Sequence, residues 1–181
     1  MHLSSRLTAA AHLSASPLRW LNGQRHAKGF GIHSPFAFAL VTQTLHHPRG
    51  YAYYRERDVA RSWRWLFRLG MLPIHRCIFF AGKLPAEALK AVKSIAVTRA
   101  LPILTSLSNL PGDALIVVAD GANEAALPPL ASLLKSGSTI VMLRLRPTEE
   151  VLSEAMSFVD RKKSVHFGLP HLPRQSFTLS F

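Results

Sequence analysis

The chain has 181 residues, 48% of them apolar and 18% charged, a globular composition that suits one domain with an appendage. No apolar run reaches the ~18–20 residues of a membrane span, and a single cysteine, Cys77, excludes an internal disulfide framework and a multi-thiolate zinc site. The 22 basic and 10 acidic side chains give a formal charge of +12. Residues 1–76 hold eleven basic side chains against Glu56 and Asp58 only, whereas 77–181 hold eleven against eight, so a cationic front precedes a nearly balanced body. The lone thiol fits a reducing compartment, and the cytoplasm is the expected location.

Residues 1–28 carry no acid, several Ser and Ala, and Arg6, Arg19, Arg25 and Lys28. A targeting peptide can have this composition, but the apolar stretch 7–15 is short, broken by His12 and Ser14, and lacks a well-placed cleavage site. An amphipathic helix anchored by Leu18, Trp20 and Leu21 is the expected form. The clearest local signal follows in Gly29-Phe30-Gly31-Ile32-His33-Ser34-Pro35-Phe36. Ser34 can accept an orphan N–H of a first helical turn, and Pro35 then falls where a missing N–H costs nothing. Ile32 or His33 would lie across Phe38 as a staple. This predicts a helix over 35–46, ended by Pro48-Arg49-Gly50.

A second helix is predicted over 55–69, stopping at Gly70. At 100° per residue, Arg57, Arg61, Arg64 and Arg68 fall within about 60° of one another, with Val59, Trp63 and Leu66 on the opposite side. Such a stripe is either a phosphate- or partner-binding surface or a solvated face over a packed one. Tyr51, Tyr53 and Tyr54 either stack on bases or pack in a turn.

From residue 71 onward short β runs alternate with helical ones. Strands are predicted at 76–80, 94–98, 114–119, 139–143, 164–167 and 176–181, and helices at 85–92, 100–107, 124–134 and 148–160. Successive β-α units predict a mostly parallel sheet covered by helices. The last two strands, with no helix between them, are expected to pair antiparallel at one edge. The organisation is thus a basic helical extension over 1–70 and an α/β domain over 71–181.

This order of elements resembles the Rossmann-like class I S-adenosylmethionine (SAM)-dependent methyltransferases, whose sheet ends in an antiparallel last strand. Gly29–Phe36 with the tyrosine cluster is similar to the helical lead-in of a bacterial subgroup, which often begins Gly-x-Gly-Ile-His-Ser-Pro-Phe. Asp113-Ala-Leu-Ile-Val-Val-Ala-Asp120-Gly121-Ala122-Asn123 resembles that family's fourth strand and the turn after it, and Gly137-Ser138-Thr139-Ile140-Val141 the entry to its fifth. The resemblance implies SAM as cofactor, with Gly82, Asp120 and Gly121 near it at the strand ends, where ligands sit in such sheets.

The chain departs from the pattern where the chemistry is most demanding. Close backbone approach to the cofactor calls for a glycine-rich loop after the first strand, but the loop reads Ala81-Gly82-Lys83-Leu84-Pro85. The ribose hydroxyls call for a carboxylate that accepts two hydrogen bonds, yet the predicted second strand ends in Thr98-Arg99. Alternatively 77–92 matches the family's second strand and helix, with the first strand deleted; the cofactor site is incomplete either way. Related metal-assisted enzymes hold a divalent ion with carboxylates after the fourth and fifth strands. Asp120 fills the first position, but Leu143-Arg144-Leu145-Arg146 follows the fifth strand, so no metal is expected.

No Gly-x-Ser-x-Gly elbow, Walker loop or His-Glu-x-x-His occurs. Two functions fit these residues. One is a SAM-dependent methyltransferase-like protein with an eroded cofactor site and catalysis left open, including a non-catalytic relative. The other is a basic module whose Arg57, Arg61, Arg64 and Arg68 dock nucleic acid or an acidic protein partner.

Overall fold

The computed structural model describes residues 34–45, 54–106, 112–122 and 129–179. The expectations for 1–33, for Tyr51 and Tyr53, for Asn123 and Glu124 and for the last two residues lie outside the described residues. Among the described residues no helix is long and apolar enough to cross a membrane.

Helix α1, Pro35–Ala39, begins as its sequence predicts. Ser34 Oγ accepts the N–H of Ala37 at 3.4 Å, with Pro35 in the first turn. The helix widens into a π-helical stretch, Leu40–Leu45, which buries Leu40, Val41, Thr44 and Leu45. The single helix predicted over 55–69 is instead three pieces: 3₁₀ turns at Tyr54–Asp58 and Arg61–Trp63, then α2, Arg64–Gly70. Trp65, Leu66, Phe67 and Leu69 are all buried in α2, so it is apolar nearly all round and lies inside the protein.

Strand β1, Cys77–Ala81, leads into α3, Ala86–Arg99. The strand predicted at 94–98 is the second half of this helix. Ala88, Ala91, Val92 and Ile95 are its buried residues, and their spacing is the helical one. The helix predicted at 100–107 is absent over its described part, residues 100–106. Ala100 closes α3 in the left-handed region at φ 52°, and Pro102 bars a new helix. Ile103–Leu104 then forms the short strand β2, paired with Ile78 and Phe79.

Strand β3, Ala114–Ala119, is wholly buried. Helix α4, Leu130–Lys135, and strand β4, Thr139–Leu143, follow. The helix predicted at 148–160 is only one turn long, α5, Glu149–Ser153, capped by Thr148 Oγ1. The chain then turns into strand β5, Met156–Val159, because Met156 and Phe158 alternate with Ser157 at the strand period. Strands β6, Lys163–Phe167, and β7, Ser176–Thr178, complete the sheet.

The seven strands lie in the order β2-β1-β3-β4-β6-β5-β7, a Rossmann-like, mostly parallel α/β sheet. Strands β2, β1, β3 and β4 run parallel, and β6 enters antiparallel between β4 and β5. The final two strands do not pair with each other as expected: β7 lies outside β5 and parallel to it, so the antiparallel member is β6. A strand turning back tightly from β5 must take the adjacent position, which leaves only the edge for β7.

One sheet face, with Leu115, Val117, Val141, Val165 and Phe167, packs under α1, α2 and α3 in a single apolar cluster. Phe36 meets Phe167 edge to face at 5.5 Å. The helical segment before the sheet is therefore one of its covering layers. The opposite face, with Ile116, Val118, Ile140 and Met142, packs under α4 and α5.

Two histidines are sealed into this structure. His166 on β6 is fully buried, with Nδ1 at 2.8 Å from Ser157 Oγ and Nε2 at 2.7 Å from Ser164 Oγ. Burial lowers its pKa to about 4. His75 is lowered to about 4 by burial and then by the nearby Arg99, against a backbone hydrogen bond to Leu69. Both fold as neutral rings, so their contribution to stability is complete above the unfolded pKa of 6.5 and is lost as pH falls toward 4. Linkage gives a loss of the order of 1–2 kcal/mol per histidine between pH 6.5 and about pH 5, before most carboxylates titrate. Urea midpoints measured over that range should fall accordingly; an unchanged midpoint would mean that the rings accept protons in place.

Candidate functional site

At the carboxyl ends of β1 and β3 two loops are locked together. Gly82, directly after β1, has φ +83°, a conformation that only glycine adopts freely. A Cβ at this position would lie 2.3 Å from Ala119 O and 2.9 Å from Ala122 N. The N–H of Lys83 donates to Asp120 O at 3.0 Å. The chain after β1 is thereby fastened to the end of β3, at the point where the strand order reverses.

A cavity of about 600 Å³ lies beside this contact, over the carboxyl ends of β1, β3 and β4. The β3 end contributes Ala119, Asp120 and Gly121, and the β4 end Leu143 and Arg144. Lys83 and Pro85 line it from the loop after β1, Ser62, Trp63 and Trp65 from the helical layer, and Asp160–Lys163 from the β5–β6 turn. Five cationic side chains face two carboxylates, a surplus of three positive charges.

The turn is held in place from both sides. Asp160 N–H donates to Lys163 O at 2.9 Å, and Asp160 Oδ1 accepts the N–H of Arg161 at 2.6 Å. Arg144 N–H donates to Lys162 O at 2.6 Å, which fastens the turn to the end of β4. Arg144 itself has φ +60°, unusual for a residue with a side chain, and its guanidinium is exposed at the cavity. Lys163 is half-buried, with its ammonium 4.8 Å from the Trp65 ring centroid. Burial lowers the Lys163 pKa to about 8, against the attraction of Asp160. Trp63 and Trp65 lie side by side, centroids 6.2 Å apart and planes tilted by 30°.

Of the expected cofactor-side residues, Asp120 and Gly121 line this cavity, while Gly82 is spent on its contact with Ala119. The expected carboxylate after the second strand is absent at the true location too: β2 is followed by Thr105 and Ser106. The four arginines do not form one face. Arg57 and Arg61 are exposed, Arg64 is half-buried and donates Nε–H to Val59 O at 3.2 Å, and Arg68 is buried against the fully buried Glu56. None of the four lines the cavity.

Sequence reasoning overlooked Trp63, Trp65, Lys163 and the β5–β6 turn as site residues. The signal available was the Arg161-Lys162-Lys163 run beside the acid Asp160, which a predicted helix through 160 concealed. Compared with known proteins, the chain matches no family model, no curated protein and no solved structure.

Two substitutions check this construction. Gly82→Ala forces a Cβ toward Ala119 O and strains the backbone, so it should destabilise the protein by at least ~2 kcal/mol in urea unfolding. Glu56→Leu removes the carboxylate that neutralises buried Arg68 and should cost about 3–5 kcal/mol, most of it recovered when Arg68→Met is added. Equal instability of the single and double variants would show that the pair does not act as a unit.

Proposed function

We propose that the protein is a methyltransferase-like α/β domain that binds a ligand and does not transfer methyl groups from SAM. The observation that carries this reading is the single-glycine loop after β1, held against the end of β3 by Gly82 on Ala119 and by Lys83 N–H on Asp120 O, with no room for a side chain at Gly82. In a Rossmann-like sheet this reversal point is where a nucleoside cofactor would lie. Support for the methyltransferase-like fold comes from a mostly parallel sheet with an antiparallel strand late in the chain, here β6 and not the final β7. The cavity adds an electrostatic reason. SAM carries a sulfonium cation, and a surplus of cationic side chains opposes it. The single buried thiol of Cys77 fits work in the cytoplasm.

The alternative, a basic module docking nucleic acid through the arginine stripe, has less support because Arg68 is turned inward onto Glu56. Thermal unfolding with SAM and with its demethylated product tests the first reading. A true cofactor site at ~100 times its Kd would add about 2.7 kcal/mol, roughly 5–10 °C in a domain of this size. The expected result is no saturable rise with either compound; a saturable rise with both would return the protein to the enzymes.

A further inference from the structure

We propose that the cavity over the β3 and β4 ends takes a small planar ligand bearing a phosphate-type dianion, of the class of nucleoside monophosphates and aryl phosphates. This inference deepens the ligand-binding reading and rests on it. Three features of the cavity converge on that chemistry.

The first is charge that arrives from separate elements. Lys83 comes from the loop after β1, Arg144 from the end of β4, and Arg161, Lys162 and Lys163 from the β5–β6 turn. A run of lysines on one surface is ordinary, but cations converging on one concavity from three parts of the fold concentrate the field there. Of the two carboxylates, Asp160 holds the backbone N–H of Arg161 and attracts Lys163, and five cations against two acids still give the lining a net positive charge.

The second is strain at Arg144. A side-chain-bearing residue at φ +60° costs of the order of 1–2 kcal/mol. The surrounding structure imposes it through the Arg144 N–H bond to Lys162 O, and the outcome is a guanidinium placed at the cavity. Strain of this kind concentrates at ligand clamps, and a planar fork of donors matches a phosphate.

The third is the wall and the size. Half-buried Trp63 presents indole surface beside the cations, with buried Trp65 behind it, and about 600 Å³ lies within the range that holds a small organic ligand. An inorganic anion alone would leave that surface uncovered. A charged head joined to a flat ring satisfies both halves of the cavity.

The test uses the full chain and four probes: adenosine monophosphate, phenyl phosphate, adenosine and inorganic phosphate. Tryptophan fluorescence and thermal unfolding are read against each, at low and high salt. The two phosphate esters should give saturable quenching that weakens as salt rises. Adenosine and inorganic phosphate should each bind at least about tenfold more weakly than the monophosphate. Arg144→Gly keeps the left-handed backbone without its strain, so it should unfold no earlier than the parent chain while losing at least about tenfold in affinity. Lys163→Gln should lose affinity to a similar degree.

Adenosine binding as tightly as the monophosphate would overturn the dianion, and inorganic phosphate binding as tightly would overturn the ring. Unchanged affinity in a folded Arg144→Gly chain, or no response to either ester at about 10 mM, would overturn the proposal as a whole. A saturable response to SAM is a separate titration and would instead count against the ligand-binding reading beneath it.

Discussion

Where the chain leaves β1 it has one residue, Gly82, in which to turn against the end of β3, and that contact sets the course of the loop beside the cavity. The absence of a side chain lets the two backbones meet, and the Lys83 N–H then fastens the loop to the Asp120 carbonyl. A parallel sheet whose order reverses between β1 and β3 ordinarily offers an opening at this point. Here the cavity begins at that point, with Lys83, Pro85 and Asp120 in its lining, and extends toward β4 and the β5–β6 turn, under the helical layer.

The reach of the cavity sets the chemistry on offer. Beside the small residues at the reversal point of the sheet it gathers long cationic side chains. Arg144 and Lys163 reach this region for different reasons. Arg144 is aimed by a constrained backbone, and Lys163 is held over an indole with part of its hydration removed. A lysine so placed gives up solvent to gain an aromatic neighbour, an arrangement suited to meeting an anion that brings its own negative charge.

Much of the sheet was legible because its strands are short apolar runs bounded by turn residues. Ala114–Ala119 between Asp113 and Asp120, and Thr139–Leu143 after Gly137, leave little choice of conformation. The start of α1 was legible for a local reason too, since Ser34 and Pro35 act within one turn. Errors arose where local preference and tertiary packing disagree. The β-branched stretch around Ile95 and Val97 suggests a strand, but Ala88, Ala91, Val92 and Ile95 bury one helical face against the core. In 148–160 the helical start is real, yet Ser157 is recruited to β5 to hydrogen-bond His166, a partner nine residues away. The arginine stripe failed because an evenly spaced pattern on a wheel presupposes an unbroken helix, and the chain breaks at Val59-Ala60 so that Glu56 can reach Arg68. The place of Asp120 and Gly121 at the end of β3 was legible from the turn they form; the cations beside them in the cavity were not, because their meeting depends on where β6 is inserted.

The margins of the sheet carry a consequence of their own. Among the described residues it is bordered on one side by β2, only two residues long and preceded by Pro102, and on the other by β7, three residues long and preceded by Pro173 and Arg174. A foreign strand laid along either of these strands would find two or three ladder positions before the template ran out. Short borders of this kind blunt polymerisation through the backbone.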